Sequence, residues 1–235
     1  MRTMARLLLA GLAIGIVLST ACSSDKSNEP AVTLTGEALR DPNNCVSCHA
    51  DQFKEWSSSM HAYASEDPVF LAMNKRLLRE TNNADPTFCV GCHAPVAVRL
   101  GLTKDGTNLG QLPTAVRGVT CYFCHQVDAV EGTHNNPLHL GDDGVMRGAI
   151  HDPASSMPHK GAYSPLHDRE MRESADLCGA CHDVVTPHGA HLERTFEEWK
   201  SSLYAQPGQL SCGKCHMEGR DAKALHRTVA RCLCQ

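Results

Sequence analysis

One short pattern, Cys-x-x-Cys-His, occurs five times in this chain of 235 residues. At the chain's content of 13 Cys and 14 His, the pattern should arise by chance about 0.04 times. The copies span residues 45–49, 89–93, 121–125, 178–182 and 212–216. Two thiols at this spacing can reach the two vinyl groups on one edge of a porphyrin, and the next imidazole then lies beneath the iron. Each copy therefore predicts one covalently attached haem c, five in all.

In this interpretation each motif supplies two thioether anchors and one proximal iron ligand. The anchors are Cys45, Cys48, Cys89, Cys92, Cys121, Cys124, Cys178, Cys181, Cys212 and Cys215, and the proximal ligands are His49, His93, His125, His182 and His216. Cysteine pairs at this spacing also bind zinc or form redox disulfides. Zinc would pair the motifs two by two, whereas their number is odd, and a disulfide would not require a histidine after every copy. Both features favour haem.

The composition indicates that the cofactors build the interior. Only 5% of the residues are aromatic, so the macrocycles must supply much of the apolar core. Successive motifs start 44, 32, 57 and 34 residues apart, which keeps the haems close enough to exchange electrons. We expect a mainly α fold with extensive loops, organised around covalently bound haems. The formal net charge of -4 argues against a nucleic-acid partner.

The N-terminus resembles an export signal. Arg2 and Arg6 precede an apolar run over residues 7–18, which is shorter than the roughly 20 residues that span a bilayer. Residues 18–22, Leu-Ser-Thr-Ala-Cys, resemble the bacterial lipobox, which implies lipidation of Cys22. Alternatively, Cys22 is an incidental thiol inside an ordinary signal peptide. The lipobox interpretation predicts an exported, periplasm-facing lipoprotein of the outer membrane, held at the membrane through its lipid.

The chain then divides into four parts. We expect a signal peptide over 1–21, a lipid-anchored polar tether over 22–40, a pentahaem domain over 41–226 and a short tail over 227–235. Cys232 and Cys234 in the tail match no haem motif. A disulfide, a link to a partner and an inert tail are all compatible with them.

Histidines outside the motifs decide between a carrier and an enzyme. An iron with two protein ligands carries electrons, whereas an iron with an open position can bind a small substrate. Nine histidines lie outside the motifs, and five haems need at most five. The distal candidates are His61, His159, His167 and His226, with one of His134 and His139. His151, His188 and His191 are interpreted as hydrogen-bonding or surface residues.

An internal repeat relates two parts of the chain. Residues 196–205 repeat residues 53–62 almost position for position, with Tyr204 where His61 stands. Phenylalanine and tryptophan three residues apart in each copy share a helical face and are expected to pack against a haem plane. Either the second copy is structural, or Tyr204 faces an iron without a strong sixth ligand.

The arrangement of these motifs resembles the cytochrome c-554-type multihaem family. The resemblance rests on the first motif followed by Phe53-x-x-Trp56-x-x-Ser59-x-His61, on the His159-x7-His167 pair before the fourth motif, and on residues 195–199 before the fifth. It implies a helical, loop-rich fold with parallel and perpendicular haem pairs, electron transfer with redox partner proteins in the periplasm or at the membrane, and His61 as distal ligand to a haem attached elsewhere.

The same resemblance leaves a second function open. Relatives in this family include enzymes with open-site haems, so the alternative is a small reductase or oxidoreductase acting on nitrite, hydroxylamine or a sulfur oxyanion at one five-coordinate haem. The count of spare histidines favours the electron carrier, for which no catalytic residue is expected. The best-known members have four motifs, whereas this chain has five.

Hydrophobic periodicity outlines the secondary structure. It predicts helices over 52–64, 68–79, 169–177 and 195–204. Gly, Pro, Asn and Asp are frequent over 96–120 and 127–158, which predicts loops, with a short hairpin around 104–107.

Overall fold

The computed structural model describes residues 34–154, 158–207 and 210–217, and the backbone of two short strands at 219–220 and 223–224. These residues belong to one compact unit. Within these ranges, no helix is long and apolar enough to cross a bilayer. Several predictions fall outside the described residues: the signal peptide over 1–21, the lipidation site Cys22, the distal candidate His226, and the tail with Cys232 and Cys234.

Short helices dominate the described part of the chain. In chain order they are α1 (Gly36–Arg40), α2 (Ala50–Ser57), α3 (Met60–Tyr63), α4 (Pro68–Glu80), α5 (Val90–His93), α6 (Pro95–Arg99), α7 (Cys121–Gln126), α8 (Ser174–Gly179), α9 (Thr195–Ser201) and α10 (Cys212–His216). Single 3₁₀ turns lie at Pro42–Cys45, Leu109–Gln111, Thr114–Val116, Pro165–His167 and Leu203–Ala205. The prediction of a mainly helical, loop-rich fold is confirmed.

Two motif helices begin at hydroxyl caps. The Thr120 hydroxyl accepts from the backbone N–H of Phe123 at the start of α7, and the Ser211 hydroxyl accepts from Lys214 at the start of α10. Each cap starts the helix at the first motif cysteine. Residues i, i+3 and i+4 of a helix share one face, so both cysteines and the histidine of these motifs lie on the same side.

The longest helix, α4, matches its prediction over 68–79 within one residue. The Asp67 carboxylate accepts from the backbone N–H of Val69 at 2.6 Å and of Phe70 at 3.3 Å. Pro68 occupies the first turn, where its missing N–H costs nothing. Cap and proline together define this helix start.

The predicted helix over 52–64 is broken in two. Ser59 has an extended backbone, and its hydroxyl donates to the carbonyl of Trp56 at 2.7 Å. The helix predicted over 195–204 ends in the same way, because the Ser202 hydroxyl donates to the carbonyl of Trp199 at 2.7 Å. Serine side chains that bond to a backbone carbonyl compete with helix continuation. The helix predicted over 169–177 begins only at Ser174, the first residue of α8.

Four two-stranded sheets lie in segments where no strands were expected. They are β1 (Val127–Val130) with β2 (Leu138–Leu140), antiparallel; β3 (Val145–Gly148) with β4 (Lys160–Tyr163), parallel; β5 (Val184–Val185) with β6 (His191–Glu193), antiparallel; and β7 (Gly219–Arg220) with β8 (Lys223–Ala224), antiparallel. The segment over 127–158 is therefore partly strand. The hairpin predicted around 104–107 is instead a turn closed by the Asp105 carboxylate, which accepts from the Thr107 backbone at 2.9 Å.

Most of the buried apolar residues in the described part of the chain pack into a small core around the second and third motifs. Its members are Leu39, Phe70, Val90, Ala94, Val96, Ala97, Leu109, Val116, Tyr122, Phe123, Val127, Leu138, Leu140 and Ala180. Leu39 is only 3% exposed and lies on α1, inside the segment that was predicted to be a polar tether up to residue 40. Packed structure therefore starts before Asp41, because the last turn of that segment carries an apolar side chain that the core covers.

Gly118 should tolerate a side chain much less well than Gly101. Both have left-handed backbones, with φ of 69° and 68°, but a Cβ at Gly118 would collide with the carbonyl oxygens of His61 and Ala62, whereas Gly101 has no atom within 4 Å. We expect Gly101→Ala to cost about 1–2 kcal/mol from backbone strain, and Gly118→Ala to cost a further 1–3 kcal/mol, roughly, from overpacking. Thermal unfolding of the two variants measures the difference, and equal melting temperatures would contradict it.

Candidate haem-binding cluster

The five motifs, which are far apart in the chain, meet in space. Thiols from different motifs are hydrogen-bonded at three places: Cys45 with Cys121, Cys92 with Cys181, and Cys178 with Cys212. The first motif therefore lies beside the third, the second beside the fourth, and the fourth beside the fifth. Cys124 of the third motif also interacts electrostatically with Cys178 of the fourth. This interaction links the pair formed by the first and third motifs to the group formed by the second, fourth and fifth.

At each junction the hydrogen bond shifts the pKa values of the two thiols in opposite directions: it lowers those of Cys45, Cys92 and Cys212 and raises those of their partners. The hydrogen bond with Cys45, together with burial, raises the pKa of Cys121. The hydrogen bond with Cys92 and burial likewise raise the pKa of Cys181. Burial alone raises the pKa of Cys124 to about 11. Each junction therefore pairs a thiol that holds its proton firmly with a thiol that loses its proton more readily, so the two do not repel each other as two thiolates would.

The cysteines of the motifs differ in one respect. The eight cysteines of the first four motifs and Cys212 of the fifth are free thiols. Cys215 is disulfide-bonded. Attachment of a haem through both cysteines of the fifth motif therefore requires that this disulfide be reduced first.

Three motif histidines are oriented by hydrogen bonds from Nδ1. The acceptors are the carbonyl of Ala64 for His93 at 2.8 Å, the carbonyl of Arg147 for His125 at 2.5 Å, and Oε1 of Glu193 for His182 at 3.2 Å. A carbonyl oxygen can only accept, so Nδ1 carries the proton in the first two. Nε2 then keeps its lone pair, which is the tautomer that a metal-bound histidine needs.

Three of the predicted distal candidates lie opposite motif histidines. The ring centroids are 6.2 Å apart for His49 and His159, 6.2 Å for His182 and His61, and 5.6 Å for His125 and His167. A metal–imidazole bond is about 2 Å long and the ring centre lies about 1 Å beyond the nitrogen, so two imidazoles on opposite sides of one iron have centroids about 6 Å apart. The three pairs fit this requirement.

The imidazoles of two distal candidates, His61 and His167, are neutral, which is the protonation state that can bind iron. Burial lowers the pKa of His61, and the nearby His182 lowers it further. Burial also lowers the pKa of His167, so both imidazoles are neutral at pH 7. Nε2 of His167 donates to the carbonyl of Cys124 at 2.7 Å, and its Nδ1 is buried without a hydrogen-bond partner. Such an orphaned lone pair is costly unless a metal or a donor occupies it.

The remaining histidines lie elsewhere. His134 is exposed beside the Thr133 hydroxyl, and His139 is exposed and bonded to Asp128. One face of the His93 ring is covered by Phe70, which stacks on it at 4.0 Å. The three histidines that were interpreted as hydrogen-bonding or surface residues, His151, His188 and His191, are all exposed. His151 stacks on Tyr163.

The internal repeat uses the same contact twice. The Trp56 indole donates to the carbonyl of Val119 at 2.8 Å, and the Trp199 indole donates to the carbonyl of Leu210 at 3.0 Å. Each acceptor lies two residues before the first cysteine of a motif, the third and the fifth respectively. The repeated helices thus position the segments that enter these motifs. Tyr204, at the position of His61, is 52% exposed.

Two asparagines that the sequence indicated only as a turn join the second and fourth motifs. Asn135 and Asn136 both have left-handed backbones, with φ of 59° and 58°. The Asn135 amide pairs with the backbone of Val185, donating at 2.7 Å and accepting at 2.9 Å. Asn136 donates from its side chain to the carbonyl of Gly91 at 2.5 Å and from its backbone to Ala180 at 2.6 Å. Positive φ is common for asparagine, but the partners of its side chain cannot be read from composition.

Removal of the Asn135 side chain should loosen this junction. Asn83 is a matched control, because it also has a left-handed backbone, with φ of 58°, and the described structure records no hydrogen bond from its side chain. We expect Asn135→Gly to destabilise the holoprotein by about 1–2 kcal/mol more than Asn83→Gly, since two hydrogen bonds are lost. Chemical denaturation of both variants measures this, and indistinguishable midpoints would refute the assignment.

Comparison with known proteins agrees with this geometry. Residues 44–126, which contain the first three motifs, match the model of a family described as cytochrome c554 and c-prime. The chain is similar to the crystal structure of a penta-heme cytochrome c552 from Thermochromatium tepidum, with a TM-score of 0.58 and 23% identity over 86% of this chain and 58% of that one. Among curated proteins none matches the chain. The family model covers about a third of the chain, and the solved structure shows that the chain shares the fold of a penta-heme cytochrome.

Proposed function

We propose that the chain is a pentahaem electron-transfer protein, with one haem c at each motif, that passes electrons between redox partners. The observation that carries the proposal is the gathering of the motifs into one cluster in which three motif histidines face a second histidine at 5.6–6.2 Å. Haem iron supplies reversible one-electron chemistry when bound. Two histidine ligands on one iron leave no position for a substrate, which favours transfer over catalysis.

The proposed axial pairs follow from the three facing histidines. His49 pairs with His159, His125 with His167, and His182 with His61. For the haems of the second and fifth motifs, the distal ligands remain those predicted from the sequence: His226 and one of His134 and His139.

The proposed location is the cell envelope. Support comes from the sequence of residues 1–22 alone, which resembles a lipoprotein signal. The acidic balance of the chain favours partners that present basic patches, an attraction that salt would weaken.

Replacement of Cys22 tests the anchor. If Cys22 carries a lipid, Cys22→Ser should move the protein from the membrane fraction to the soluble fraction and remove the lipid mass, because a serine cannot be acylated in this way. Fractionation and intact-mass measurement check the result. An unchanged membrane fraction and unchanged mass would contradict the lipoprotein assignment.

Replacement of the facing histidines tests the electron-transfer site. We expect His61→Ala, His159→Ala and His167→Ala each to convert one haem of the oxidised protein from low spin to high spin, because each removes one strong axial ligand. Electron paramagnetic resonance counts the two spin states. His151→Ala, a stacked surface histidine, is the control and should change neither signal.

The same spectrum separates carrier from enzyme. Unaltered protein with a high-spin ferric signal that responds to added nitrite or cyanide would support the oxidoreductase alternative. Low-spin signals from every haem, indifferent to these ligands, support the carrier.

A further inference from the structure

His182 of the fourth motif has an anionic partner. Nδ1 of His182 lies 3.2 Å from Oε1 of Glu193, whereas Nδ1 of His93 and of His125 donate to neutral backbone carbonyls. A charge-assisted hydrogen bond is stronger than one between neutral groups. The hydrogen bond of His182 is therefore of the stronger, charge-assisted kind.

The fold holds this carboxylate in place. Glu193 ends β6 and pairs in register with Val184 of β5, the strand that follows the fourth motif. The Thr195 hydroxyl donates to the same Glu193 oxygen at 3.0 Å. The backbone N–H of Phe196 donates to the carbonyl of His182 at 3.0 Å, which ties the end of the hairpin to the motif. Glu193 is therefore presented to the imidazole by the backbone and not by a mobile loop.

We propose that Glu193 is a positioning residue that lowers the midpoint potential of the haem held at the fourth motif. This inference rests on the proposed function, in which His182 is an axial ligand there. A carboxylate that accepts the Nδ1 proton makes the imidazole a stronger electron donor to its metal. Greater donation and a nearby negative charge both stabilise the ferric over the ferrous state. Electrons therefore leave this haem more readily than they would with a neutral acceptor.

The test compares three full-length, haem-loaded variants. Glu193→Gln keeps the size and the acceptor oxygen but removes the charge, Glu193→Asp keeps the charge, and Glu198→Gln removes a charge from an exposed position five residues further along. Potentiometric titration with optical detection gives the midpoint potentials, and electron paramagnetic resonance follows the low-spin signals.

For Glu193→Gln we expect one midpoint potential to become more positive by more than any other, together with a shift of one low-spin signal. A smaller change at the second motif is expected, because Glu193 also interacts electrostatically with His93. Glu193→Asp should shift the same potential less, and Glu198→Gln should shift none. Unchanged potentials in Glu193→Gln, or equal shifts in Glu193→Gln and Glu198→Gln, would overturn the inference.

Peptide mapping by mass spectrometry separates this failure from failure of the proposed function. A peptide over residues 178–182 that carries haem, together with unchanged potentials, overturns only the role of Glu193. The same peptide without haem overturns both, because His182 would then have no iron to act on.

Discussion

The Cys-x-x-Cys-His motif, in which two cysteines would attach a haem and one histidine would bind its iron, is the constraint on which the proposed account of the fold depends. A helix places residues i, i+3 and i+4 on one face, so one and a half turns suffice for each motif. Two helices span a whole motif, α7 with six residues and α10 with five, and α5 covers the last four residues of the second motif. Such helices are too short to be stable alone. The described chain consists of short helices, turns and two-stranded sheets, which the proposed haems would hold together.

Specific polar contacts replace a large core as the means of holding the motifs together. The indoles of Trp56 and Trp199 each donate to the backbone just before a motif, and the Asn135–Asn136 turn bonds to the second and fourth motifs. These contacts join segments that are far apart in sequence. They set which motifs are neighbours, and that order in turn sets the route available to an electron.

Helix α4 could be predicted from the sequence because its start depends on a local contact, the Asp67 cap. The sequence also named His61, His159 and His167 as distal candidates, but it could not show which motif histidine each one faces. Other features depended on contacts that no periodicity reports. Ser59 and Ser202 end helices through bonds of their own side chains, and strands of two to four residues are too short to show alternation. The contact of Glu193 with His182 could not be predicted because the two residues are eleven positions apart in sequence. The irregular β5–β6 hairpin brings them together.

The mass of the mature holoprotein shows directly how many haems are attached. Intact-mass measurement followed by mapping of the motif peptides counts the covalent haems and assigns each one. We expect five haems, one on every Cys-x-x-Cys-His peptide, including the peptide that contains Cys215. A protein that gains no haem mass, or whose peptide over residues 212–216 is recovered with its disulfide intact and no haem, would contradict this expectation.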